Sequence, residues 1–171
     1  LDSVLGRRLE RLAATCDEIW LITEYAPAAP ENGIERWLAV NTFRQSERWY
    51  GPFRLASYRT GAGRATGYRP LGLSLGQSVQ LLGYAVADPE RARRPGETVE
   101  VTLRWQASGR LAQDYTVFVH LLDEQEKVWG QQDVQPGGGF APTSGWQAGQ
   151  VLDDRYAVPV QAGAPPGTYR L

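Results

Sequence analysis

The chain has 171 residues, 42% hydrophobic and 22% charged, and its 18 basic and 19 acidic side chains leave a formal net charge of −1. This balance excludes a disordered or fibrous chain and leaves no positive footprint for nucleic acid. One cysteine and one histidine are too few for an intramolecular disulfide or a Cys/His zinc site.

No apolar run approaches the roughly 18 residues of a membrane span, and no signal peptide is visible at the start. The chain opens on Leu1, holds no methionine and stops at Gly167-Thr168-Tyr169-Arg170-Leu171 within a strand-like run, as expected of a segment excised from a longer protein. The length suits a small segment followed by a domain of roughly 100 residues.

Val4, Leu5, Leu9, Leu12 and Ala13 recur at helical spacing, with Arg7, Arg8, Glu10 and Arg11 largely opposite, which predicts an amphipathic helix over residues 1–15. Cys16 follows as an expected small apolar filler; a nucleophilic role would need a positioned base, and His120 is far away in sequence. Glu18 to Thr23 is an apolar, β-branched run with the signature of a buried strand, Trp20 being its expected filler. Pro27 and Pro30 mark a loop, and Pro30-Glu31-Asn32 opens a second helix carrying Ile34, Trp37, Leu38 and Val40 or Asn41. Trp49-Tyr50-Gly51-Pro52 closes it, and Phe53 to Tyr58 is a second strand. Residues 1–60 therefore read α-β-α-β, too little to stand alone and expected to pack on another unit.

Residues 61–70 form a glycine-rich connector whose Gly61, Gly63 and Gly67 do not follow the dinucleotide fingerprint. From Leu71 to Leu171, short strands separated by turns every eight to twelve residues predict a mostly β fold, an antiparallel β-sandwich of jelly-roll or Ig-like kind with a truncated last strand. Val79 to Val86 is one strand. Val99, Val101, Leu103 and Trp105 then alternate with Glu100, Thr102 and Arg104, so that one face is core. Tyr115 to Leu122 and Lys127 to Asp133 flank a polar turn as a hairpin, and Val151 to Val160 follows a long loop holding Gly137 to Gly139. Arg91, Arg93 and Arg94 lie in a proline-bracketed turn with too little positive charge around them for a phosphate or headgroup contact.

Among residues that could carry chemistry, His120 shares its strand face with Phe118 and Leu122. It is expected either as a structural residue or paired with Asp123 or Asp133 to polarise a bound hydroxyl. No nucleophile with an elbow motif accompanies it, which disfavours a hydrolytic triad. Asp153 and Asp154, adjacent in a strand, face opposite ways and cannot address one substrate. An aspartate here either caps a turn or holds calcium together with carbonyls of the Gly137 to Gly139 loop. Trp129 and Trp146, near the hairpin and the long loop, are the candidate half-exposed indoles for stacking on a sugar; each alternatively covers the end of the core.

The runs Leu75-Gly76-Gln77-Ser78-Val79-Gln80-Leu81-Leu82-Gly83-Tyr84, Pro95-Gly96-Glu97-Thr98-Val99, Leu103-Arg104-Trp105 and Tyr115-Thr116-Val117-Phe118-Val119-His120-Leu121-Leu122-Asp123 carry a resemblance. With Gln132-Asp133, Pro142-Thr143-Ser144, Trp146 and Pro166-Gly167-Thr168-Tyr169, this stretch resembles the soluble C-terminal region of bacterial multispanning membrane glycosyltransferases of the protein-mannosyltransferase-like type. Ile19-Trp20-Leu21-Ile22, Trp37-Leu38 and Phe53 to Tyr58 are similar, more loosely, to the α/β segment after the last membrane helix of such enzymes. The resemblance implies the outer face of a bacterial membrane and a parent activity of sugar transfer from a polyprenyl-phosphate donor. The family's catalytic acids precede this region, so it implies no catalytic residue, cofactor or metal here. The expected function is a non-catalytic extracytoplasmic accessory domain contacting glycan or the parent's membrane domain, with Trp129, Trp146, His120 and Asp133 as ligand contacts. The alternatives are an autonomous carbohydrate-binding module and a hydrolase built on His120 and Asp133.

Overall fold

A computed structural model describes residues 3–24, 32–60 and 67–171. The expected loop at Pro27 and Pro30 and residues 61–66 of the connector lie outside the described residues. The fold is mostly β, with three antiparallel sheets and two α-helices.

The first sheet has the order β1-β3-β2, from strands Glu18–Glu24 (β1), Phe43–Tyr50 (β2) and Phe53–Arg59 (β3). Helices Ser3–Thr15 (α1) and Gly33–Asn41 (α2) accompany it. Asn32 starts α2 as expected of an N-cap, its side chain accepting from the amides of Ile34 and Glu35. Leu38 of α2, with Ile34 and Trp37, packs on Ala56 and Tyr58 of β3 and on Ile19 and Leu21 of β1.

The expected α-β-α-β order is corrected to α-β-α-β-β. Residues 49–52, read as closing the second helix, turn a hairpin between β2 and β3, with Gly51 at φ 58°. The reading of β1 as a buried strand is corrected as well. It is an edge strand whose Ile19 and Leu21 meet the helices while Trp20, 56% exposed, and Ile22 face away from them. Cys16 is exposed rather than a core filler.

The second sheet has the order β4-β5-β6-β9, from Arg69–Leu75 (β4), Val79–Val86 (β5), Thr98–Ala107 (β6) and Val151–Pro159 (β9). β4 begins inside the segment expected as connector. It is an edge strand exposed along its whole length, interrupted by an irregularity between Pro70 and Leu73. Val117–Leu122 (β7) and Val128–Val134 (β8) form the expected hairpin as a third sheet. The run expected as a last strand forms one antiparallel bridge, Leu122 to Arg170.

The alternation in β6 separates two environments. Val101 of β6 pairs in register with Tyr156 of β9, Val99 pairs with Val158, and this face packs against Val119 and Leu121 of β7. Glu100, Thr102 and Arg104 point the other way, where Glu100 meets Gln45 of β2 at 3.0 Å and Arg59 of β3 at 3.2 Å. Arg155 of β9 donates to the carbonyl of Val40 at the end of α2, at 2.6 Å. The N-terminal segment thus packs on β6 and β9, as its small size requires.

The Arg91, Arg93 and Arg94 turn is held by its own bonds. Arg91 pairs with Glu97 at 2.6 Å, and Arg93 donates to the carbonyls of Ala87, Asp88, Arg91 and Thr98.

Candidate functional site

His120 and Asp133 stand on neighbouring strands of the β7–β8 hairpin, and the ring Nε2 lies 3.0 Å from Asp133 Oδ1. Of the two carboxylates expected as partners, the structure selects Asp133. Asp123 instead organises the turn: its Oδ1 accepts from the amides of Gln125 and Lys127, and its Oδ2 accepts from the Trp129 indole at 2.6 Å. The indole hydrogen bond holds the Asp123 carboxyl below its ordinary range.

Phe118, one turn of the pleat from His120, is 67% exposed, and the two rings meet edge to face with centroids 6.1 Å apart. Strand geometry puts residues two apart on one face, so β7 presents an open aromatic platform beside a polar pair. Such a platform can stack on the apolar face of a sugar ring while the His–Asp pair exchanges hydrogen bonds with hydroxyls. His120 has no hydrogen-bonded serine, threonine or cysteine among the described residues; its partner is Asp133.

The two indoles expected as platforms differ in how far they are engaged within the chain. Trp146 is only 6% exposed, and its Nε1 donates to the carbonyl of Ala141 at 3.0 Å. Trp129 is half-buried, with the Lys127 ammonium 3.9 Å from its ring centroid, so a cation of the chain itself occupies one face. Sequence reasoning passed over Phe118 as a ligand contact, although its place beside His120 in the alternation was already legible.

Trp146 contributes instead to a cavity of about 690 Å³, between the β4–β5 turn and the loop from Arg110 to Phe118. Trp105, Leu111 and Trp146 belong to one buried cluster there, with Val79 and Val117 packed against it. Thr143 is buried and ties the loop down, donating to the carbonyl of Gln113 at 3.0 Å and accepting from the amide of Tyr115 at 2.9 Å. Ser144 N–H is held by Asp114 Oδ1 at 2.9 Å.

Asp153 and Asp154 diverge as expected of adjacent strand residues. Asp153 is held bidentately by Arg104, at 2.6 and 2.8 Å, and this pairing lowers its pKa. Asp154, 1% exposed, accepts from the Gly137 amide at 2.9 Å and from the Tyr156 hydroxyl. Burial raises its pKa against those bonds, and burial beside this carboxylate also raises that of Tyr156. The glycine loop thus presents an N–H to this aspartate, where a calcium site would require the loop's carbonyls to converge on a shared ion. Gly137 and Gly138 adopt φ 63° and 64°, a left-handed conformation that glycine enters without strain. No group of three or more His, Cys, Asp or Glu able to hold a metal occurs among the described residues.

Comparisons with protein-family models, with curated proteins and with solved structures find no match for this chain.

Proposed function

We propose that the chain is a non-catalytic extracytoplasmic accessory domain of a bacterial membrane glycosyltransferase-like protein. Its β7–β8 hairpin closes over the four-stranded sheet as the second layer of a β-sandwich of jelly-roll or Ig-like kind, and that hairpin's outer face contacts glycan. The observation that carries the glycan contact is the exposed Phe118 ring beside the His120–Asp133 pair. Sugar recognition asks for this combination, an apolar plane for the ring and fixed polar atoms for its hydroxyls. The membrane context rests on the sequence resemblance alone.

The placement of the remaining chemically capable groups supports a binding role over a hydrolytic one. Asp153, Asp154 and Asp123 are each engaged by a partner from their own neighbourhood, and the hairpin face is open to water. Hydrolysis would ask two carboxyl groups to flank one glycosidic bond, whereas Asp153 and Asp154, adjacent in β9, point to opposite faces.

Glycan-array screening followed by calorimetry on the best oligosaccharide provides the test. Phe118→Ala should weaken binding about tenfold, in line with the loss of one aromatic contact. His120→Ala should weaken it less, and Trp129→Ala should leave it unchanged. Binding indifferent to Phe118→Ala sinks the glycan contact, and turnover of activated glycosides by the pure chain sinks the non-catalytic assignment. Micromolar affinity in the isolated chain would favour an autonomous carbohydrate-binding module over an accessory domain.

A further inference from the structure

The cavity beside β7 differs in chemistry from the hairpin's outer face. Its floor is the buried cluster of Trp105, Leu111 and Trp146, and Leu75 and Val79 line it from the β4–β5 turn. Gln77, Ser78, Tyr115 and Thr116 line its mouth, but a sugar reaching the floor would set its hydroxyls against the indoles and Leu111, at a cost for each left unpaired. Thr143, a polar side chain on the wall, already spends its hydroxyl on Gln113 and Tyr115.

One charged residue lines the cavity, Arg110, which is exposed and forms no ion pair among the described residues. No carboxylate lines the cavity with it. An apolar recess with a single unopposed guanidinium suits a ligand with an apolar body and one negative head. The volume of about 690 Å³ falls in the range that encloses a small organic ligand.

The walls are tied from several directions, so the recess is pre-formed. Ser108 donates its amide to the carbonyl of Ser78 at 2.9 Å and its hydroxyl to that of Gln77 at 3.1 Å, fixing the start of the loop to the β4–β5 turn. Thr143 and Asp114 fix the loop's other side. Pre-organisation of this kind lowers the ordering cost of binding.

We propose that this cavity binds an anion-headed amphiphile, with the apolar chain laid on Trp105, Leu111 and Trp146 and the phosphate or carboxylate held by Arg110. Phe118 lies on the rim of this cavity, so the site adjoins the glycan contact proposed above, but its floor and its charge come from other residues and it stands whether or not that contact exists.

The test titrates the intact chain with dodecyl phosphate, with dodecyltrimethylammonium and with inorganic phosphate. Both amphiphiles stay below their micelle-forming concentrations, and calorimetry is read beside tryptophan fluorescence. Dodecyl phosphate should bind at least about tenfold more tightly than the cationic amphiphile, a difference typical of one charge-assisted contact. Inorganic phosphate should not bind at millimolar concentration. Arg110→Gln should erase the preference between the two heads, while Ala112→Trp should fill the recess and block both. Leu75→Glu puts a carboxylate on an exposed wall and should abolish dodecyl phosphate binding, which keeps the test should the tryptophan variant fail to fold. Equal affinity for the two heads, an unchanged preference in Arg110→Gln, dodecyl phosphate binding that survives these variants, or saturation by inorganic phosphate alone would each overturn the proposal.

Discussion

On one face of the four-stranded sheet, Val99, Val101, Tyr156 and Val158 meet Val119 and Leu121 of the hairpin. On the other face, Glu100 meets Gln45 and Arg59, and Arg155 meets a backbone carbonyl of α2. The first junction works by area removed from water and holds no ion pair among the described residues. The second places a carboxylate and a guanidinium in partly dry surroundings, where pairing offsets desolvation without much surplus. Burial accordingly raises the pKa of Glu100, against the opposing pull of Arg59, and lowers that of Arg155. One strand therefore cements the hairpin with its odd-numbered residues and positions the N-terminal segment with its even-numbered ones.

The contrast breaks most sharply at Leu121. Leu121→Ala should cost about 2–5 kcal/mol in denaturant unfolding, with the transition still a single cooperative step. A loss below about 1 kcal/mol would show that the hairpin contributes little to the core.

Asp154 comes next. Asp154→Ala strands the Tyr156 hydroxyl and the Gly137 amide in a dry environment, for an expected loss of about 2–4 kcal/mol. Its pH dependence has a definite sign. The folded pKa lies above the ordinary 3.8, so the native state holds the proton more tightly than the unfolded chain. Stability from this group rises as pH falls through the folded value and levels off below 3.8. Wild type should therefore gain stability relative to Asp154→Asn between pH 7 and pH 4, and a constant gap would refute the assignment. Asp153, lowered by Arg104, works in reverse, its stabilisation present above 3.8 and lost as pH falls through the depressed folded value.

A smaller effect is expected at the polar junction. Glu100→Ala should cost about 1–2 kcal/mol and should speed amide exchange in β2 and β3 before β7 and β8 respond. Uniform acceleration across all strands would mean that the two junctions are one cooperative unit. Arg170→Ala, which removes an exposed pair with Glu126, should change stability by less than about 0.5 kcal/mol.

What the sequence made legible follows the same division. β6 was readable from its period-two alternation, β7 and β8 from the polar turn between them, and β5 and β9 as short runs bounded by turns, while Asn32 announced α2 by its capping chemistry. Phe43 to Tyr50 was not readable as a strand, since it is largely polar, mostly exposed and bulged between Arg44 and Ser46; its pairing with β3 makes it one. Trp20 misled because an unbroken apolar run looks the same whether a strand is covered on both faces or on one. Trp146 looked available because it sits in a loop, but a 3-10 turn folds that loop back onto the core. The cavity was invisible because its walls come from segments distant in the chain.

The exposed edge strand has a consequence for how the molecule tolerates crowding. Leu71, Leu73 and Leu75 are all open to solvent on β4, which otherwise would offer a ready template for a neighbouring chain. Pro70 carries no amide hydrogen to give, and Gly72, at φ 68°, bends the strand out of line between two of those leucines. Proline and glycine there work as insulation against fibre growth, so that Pro70→Val with Gly72→Val would turn an inert rim into an adhesive one.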